Sequence, residues 1–479
     1  MNPKKDQFPR RFKLVATAAA LAFLSACASV NFEQSLSQTN TLAADFTQGQ
    51  LALVQTQAQR AAQDQTATQI LQKPISQSDA VRLALVNSPA LQALLAQHWA
   101  DAARAAQTGR IANPVFTFEH LRMADELELG RLLSFGLLDL LTLPQRYGIA
   151  QRQIAQAQLR LTSSVIEQVT QVRQAWVKAV AAQQNLIYAK QVNDAAQASA
   201  ELARRMQAVG NFSKLQRARQ QAFYADAATQ WAAAQHSRTA TQEALVRLLG
   251  LTDAQTQALA LPDRLPALPA IPRSAQEIGQ KASQGRLDLQ LAQAEYDSAA
   301  KAQGLNGLTS FTDIELGLRR DTVTDNASGT STARTGYEVS VRLPLFDWGG
   351  LRRDAMNAQT LAAANRLEAT ARAASSNLRE SYSAYRTAFD VSRHYRDEVV
   401  PLRKTISEEN VLRYNGMLIG VFELLADTRD QVSSVMAAIA AEQQYWLSDA
   451  ALQASLMGKP TLATVGAMPS GAGGGAAAH

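Results

Sequence analysis

A mainly α chain with a membrane β-barrel is predicted by three observations. No proline occurs between Pro144 and Pro262 or between Pro344 and Pro401, so very long helices fit both intervals. Short segments ahead of each interval alternate apolar and polar residues. The whole pattern is then written twice. The expected architecture is long antiparallel helical hairpins plus four β-strands per chain. Four strands are too few to close a barrel, whereas three identical chains would supply twelve.

Before the first repeat, Lys4, Lys5, Arg10, Arg11 and Lys13 precede a short apolar run from Leu14 to Leu24. This is the composition of a secretory signal over residues 1–26, too short for a spanning helix. The signal holds those five bases and Asp6, so only +2 of the formal +6 remains for the rest of the chain. A nucleic-acid partner thereby loses its electrostatic support. The Gln-, Thr- and Ala-rich stretch 27–73 reads as an extended or loosely helical N-terminal segment.

The first repeat is placed at 74–260, beginning with helix from Pro74 to about Thr108. Strands follow at about 113–138, where Arg131 interrupts the Leu127, Leu129, Leu133, Phe135 face. A helical hairpin then covers 145–250. Its outgoing arm is about 65 residues, or roughly 100 Å. Val165, Val169, Val172, Trp176 and Ala179 are spaced 4-3-4-3, a coiled-coil seam. The return arm is shorter, so it and the 74–108 helix are expected to stack end to end along the long one.

Pro262, Pro266, Pro269 and Pro272 mark a linker at 261–274. The second repeat, 275–458, has strands at about 311–345 and a hairpin at 350–457. Ile314, Leu316 and Leu318 alternate with Asp313, Glu315 and Arg319, and Tyr337, Val339 and Val341 alternate likewise. "DTVTDNASGTSTAR" reads as a polar loop that the first repeat lacks. Leu378, Tyr382, Tyr385 and Phe389 repeat the seam. Offsets between the halves run from 198 at "NSPALQA" to 206 at the seam. Residues 459–479 read as a flexible tail.

Chemistry is sparsely signalled. His98, His120, His236, His394 and His479 are scattered without metal-ligand spacing. No nucleophile elbow or phosphate loop occurs, so no catalytic residue, metal or cofactor is expected.

Several stretches together resemble the TolC-like outer-membrane factors of tripartite efflux and secretion systems. They are "ALVNSPAL", "ANPVFTFE", "VSVRLPLFDWGGLRRDAMNAQ", and the hairpin tips "MQAVGNFSKLQRARQ" and "RYNGMLIGVFELLADTRD". Leu24-Ser25-Ala26-Cys27 resembles a lipoprotein lipobox, which implies acylation of Cys27, the only cysteine. Ala28 stands where an aspartate would oppose transfer to the outer membrane. The resemblance implies a homotrimeric, lipid-anchored outer-membrane channel working with a periplasmic adaptor and an inner-membrane pump. Heavy-metal cations, drugs or a secreted protein would be its cargo. A pore-less periplasmic adaptor or structural lipoprotein is the competing reading.

The resemblance also nominates residues. Gly210, Ser213, Leu215 and Ala218 at the first tip, and Gly416, Gly420, Phe422 and Leu425 at the second, would meet the adaptor. Family members carry two acids three residues apart at the aperture. Glu423 matches the first; the second falls on Ala426, with Asp427 one residue later and about 100° around the helix.

Overall fold

The computed structural model describes residues 31–282, 285–309, 313–343 and 345–461. Cys27, the signal segment and the tail beyond 461 lie outside the described residues. The chain divides into two compact units, one containing Gln97–Arg160 and Leu289–Thr370, the other Leu36–Ala96, Leu161–Asp288 and Ala371 onward.

In the first unit, β1 (Val115–Met123), β2 (Glu126–Gly136), β3 (Ile314–Asp325) and β4 (Thr330–Val341) form one antiparallel sheet in sequence order. β1–β2 and β3–β4 are hairpins, and the central β2–β3 pairing joins the two repeats in register, with Arg131 opposite Arg320. Among the described residues, β1 and β4 each have a partner on one side only. Most of the expected polar loop is strand instead. Thr322 and Thr324 continue the β-branched alternation, and the Thr324 hydroxyl meets that of Ser331 across the pair at 2.9 Å. Only 326–329 turn, held by Asp325, which accepts from the Ala327 and Ser328 amides.

Alternation gives the sheet two unlike faces. One carries Phe116, Leu133, Leu316, Leu318, Val339 and Val341. On the other, Arg319 donates to Glu119 at 3.0 Å and to Asp321 at 2.9 Å. Gly130 lies between those two acids, and a Cβ there would approach Glu119 to 3.2 Å. The bare position lets both acids share one guanidinium.

Residues 31–73 are more regular than an extended segment. They form α1 (Phe32–Thr47) and α2 (Gln57–Ile70), the latter started by a Thr56–Gln59 capping box. The helix expected over 74–108 is broken into α3 (Gln77–Asn87) and α4 (Pro89–Thr108). Pro89 biases Ser88 to extended backbone, ψ 115°, and so ends α3. After the short α5 (Leu137–Leu141), α6 (Leu143–Ala208) runs 66 residues, and α7 (Lys214–Leu249) returns over 36.

In the second unit α7 ends at Gly250, whose left-handed φ of 67° closes a Schellman turn: Leu251 N–H donates to Val246 at 3.2 Å. Asn87 Nδ2 donates to the carbonyl of Gly250 at 2.9 Å, so α7 meets the start of α4 end to end. The second repeat copies this. After α8 (Asp253–Ala258), α9 (Ala275–Ala282) and α10 (Leu287–Thr309), the chain passes through the sheet and then α11 (Gly350–His394). α12 (Val400–Asn415) and α13 (Val421–Leu456) follow, and Gly458, φ 84°, seats the end of α13 on Leu287, whose N–H donates to Met457 at 3.1 Å.

The seam residues Val165, Val169, Val172, Trp176 and Ala179 are all buried, as are Tyr385 and Phe389. The Pro-rich linker is anchored to the second seam rather than loose. Leu265 and Leu268 are buried, Trp446 Nε1 donates to the Pro266 carbonyl at 3.1 Å, and the Arg273 amide donates to the Tyr385 hydroxyl at 3.1 Å.

The second hairpin departs from uninterrupted α-helix at Tyr395–Val399, a π turn between α11 and α12. Pro401, near the start of α12, lacks an N–H and would clash with a carbonyl one turn back; the wider turn absorbs it. Glu442 of α13 is half-buried, and burial pushes its carboxyl from 4.5 to about 7, against the opposing pull of Arg264 and Arg396. The folded state therefore holds this proton more tightly than the unfolded chain. Its contribution to stability is complete below pH 4.5 and is lost as pH rises through about 7. Glu442→Gln is expected to raise the thermal midpoint at pH 8 and leave it unchanged at pH 4. An equal shift at both would contradict this.

Candidate functional site

The two hairpin tips have one backbone design. At the first, Gly210 takes φ 81° and the Asn211 N–H donates to Met206 at 2.8 Å. At the second, 207 residues on, Met417 takes φ 59° and the Leu418 N–H donates to Arg413, also at 2.8 Å. The left-handed position therefore falls on Met417 rather than on its glycine neighbour Gly416, φ −79°. A methionine there is held against its preference. Phe212 and Ile419 occupy equivalent places, each buried under its turn.

Ser213 caps α7 by accepting from the Gln216 N–H at 3.1 Å, and Gln216 Oε1 accepts from the Ser213 N–H at 2.7 Å. Gly420, the matching cap of α13, offers no side chain. Glu423 stands where Gln216 stands, third in its helix, where the helix dipole favours an anion. It is exposed, without a cationic partner among the described residues. Ala426, one turn on, is also exposed.

Asp427 is different. It is buried, and its Oδ2 has no hydrogen-bond partner among the described residues. Two residues on, Arg429 lies 4.0 Å over the Phe223 ring, and burial lowers its pKa against the pull of Asp226. That contact joins the hairpins, beside a cluster of Val192, Ala196 and Ala227 packed with Val432.

The nominated tip residues lie at or just after two turns of equivalent backbone geometry. Gly210, Ser213, Leu215, Ala218, Gly416 and Gly420 are exposed, Leu425 is half-buried, and Phe422 is the second residue of α13. The apolar run that the sequence places at the second tip is exposed at its turn: Met417 is 93% exposed and Leu418 73%. Among the described residues there is no group of three His, Cys, Asp or Glu able to hold a metal, and no helix long and apolar enough to cross a membrane.

A four-stranded antiparallel sheet and two helical hairpins, each with one arm longer than the other, are the elements of the TolC-like outer-membrane channel fold. Among solved structures, the chain is similar to the CmeC outer membrane channel of Campylobacter jejuni. The two are 14% identical, with 86% of this chain and 89% of that one covered, at a TM-score of 0.67. It is also similar to the outer-membrane channel OprN (16%, 90% and 96%, 0.63) and to the outer membrane protein VceC of Vibrio cholerae (15%, 83% and 97%, 0.63). No protein-family model and no curated protein sequence matches the chain.

Proposed function

We propose that this chain is the outer-membrane channel of an efflux system, three copies closing their sheets into one twelve-stranded barrel. The sheet carries this reading. Its strands of 9 to 12 residues suit a bilayer crossing, and its faces are sharply unlike. Both outer strands offer open edges that another copy would pair. Likeness to solved outer-membrane channels over most of both chains supports the same assembly. The role is conduction, not catalysis. Cys27 would carry the lipid anchor, and the two apolar tips would receive a periplasmic adaptor coupled to an inner-membrane pump. Heavy-metal cations or drugs are the cargo proposed.

At the aperture we assign Glu423 rather than Asp427, because Glu423 is exposed and Asp427 is buried. Three copies of Glu423 about an axis would favour cations. The purified protein is expected to give single-channel conductance and a heat-stable β-signal in circular dichroism. A purely helical spectrum without conductance would reject the channel and favour a pore-less adaptor. Glu423→Gln is expected to move the reversal potential in a salt gradient towards non-selectivity. An unchanged potential would remove the ring.

A further inference from the structure

Successive rows of the apolar sheet face can be followed from the helix-joined end towards the hairpin turns. One row is Phe116, Leu133, Leu318 and Tyr337; the next outward is Phe118, Arg131, Arg320 and Thr335. Beyond it the face turns mixed, with His120 and Thr322 in one row and Arg122 and Thr324 in the next. Arg131 and Arg320 therefore stand at the outward boundary of the apolar rows. From the lowest strand row, Ile314 opposite Val341, they are about 20 Å along strands rising ~3.4 Å per residue.

The two arginines are direct cross-strand partners, so their side chains share a face. Like charges in that relation repel. Both are exposed, and neither has an ion pair among the described residues. The acids nearby in sequence cannot relieve them. Asp321, next to Arg320, and Glu119 point to the other face, where both are engaged with Arg319. The apolar face carries no aspartate or glutamate in any paired row. Guanidinium forks match phosphate oxygens, and arginine stems can lie along apolar surface while the head reaches the headgroup level.

We propose that Arg131 and Arg320 jointly hold the phosphate of an anionic lipid headgroup at the outward rim of the barrel. The proposal rests on the channel reading, because a closed barrel is what turns this face to lipid.

The test uses the full-length protein in nanodiscs of mixed phosphatidylglycerol and phosphatidylcholine, with retained lipid counted by native mass spectrometry. Wild type is expected to retain phosphatidylglycerol preferentially. Arg131→Gln with Arg320→Gln should lose that preference, by about fivefold for each arginine. Arg334→Gln, on the other face, should keep it. Conductance of the double variant equal to wild type establishes that it folds. Equal retention of both lipids by wild type, undiminished preference in the double variant, or stripping of phosphatidylglycerol by millimolar inorganic phosphate would overturn the proposal. If wild type conducts but shows no preference, the lipid site alone falls; if it neither conducts nor gives β-signal, the channel reading falls first.

Discussion

Gly250→Ala is expected to lower the thermal midpoint sharply, and Gly458→Ala to do nearly the same. Both glycines end a return helix in the left-handed conformation, which costs an L-residue about 1–2 kcal/mol. Space adds a second cost. A Cβ on Gly250 would lie 2.3 Å from Pro89 Cδ and 2.9 Å from Ser88 Cα. On Gly458 it would meet Asp288 N at 2.8 Å and Leu287 N at 2.9 Å. These are mostly backbone or ring atoms, which cannot rotate away, so overpacking adds about 1–3 kcal/mol. Gly210 separates the two costs: its φ is 81°, but an added Cβ would meet nothing within 4 Å. Gly210→Ala should therefore pay only for conformation, and Gly416→Ala, with ordinary φ, for neither. Thermal unfolding followed at 222 nm on all four variants checks this order. Equal losses for Gly250→Ala and Gly210→Ala would show that the helix-end contact contributes nothing.

The equivalence of those two junctions was partly legible beforehand. "NSPALQA" and "GRLDLQL" align at an offset of 198, which places Pro89 over Leu287, the two residues on which the return helices seat. The seams were legible because burial repeats at helical spacing, and so was the second pair of strands, because Ile314, Leu316 and Leu318 alternate strictly. What escaped is what pattern does not carry. Ser88–Pro89 divides a helix whose apolar content runs on either side without a break. The π turn before Pro401 preserves the helical pattern while widening the backbone. Strands continue through "DTVTDNASGTSTAR" because threonine favours sheet even where it is polar. At the second tip the left-handed place falls on Met417 and not on Gly416, which residue type alone would favour. Exposure divided Glu423 from Asp427, four residues apart on one helix, and no spacing rule states exposure.

Arg173→Met is expected to destabilise the second unit by about 3–5 kcal/mol, the usual cost of removing one partner from a buried ionic network. Arg173 follows seam residue Val172 and is itself buried. Its guanidinium donates to the Phe46 carbonyl at 2.5 Å and to Gln453 Oε1 at 2.7 Å, and it lies 4.4 Å over the Phe46 ring. Gln453 Nε2 in turn donates to Asp449, which also pairs with Arg273 at 3.3 Å. One polar chain thus ties α1, α6, α13 and the linker. Burial raises the Asp449 pKa above 3.8, while Arg273, Gln453 and Arg173 oppose the rise. Below pH 3.8 this carboxyl is protonated in both states and its contribution is complete; as pH climbs through the raised folded value, stability is lost. Without Arg173 that rise is less opposed, so the deficit of the variant should grow from pH 4 to pH 8. The contacts to Phe46 supply a part that does not vary with pH. Adding Asp449→Asn to Arg173→Met should recover the pH-dependent part of the loss at pH 8 and change little at pH 4, because the buried carboxylate that Arg173 helped Arg273 to offset is then gone. Strict additivity of the two substitutions at pH 8 would mean that Arg173 acts through Phe46 alone.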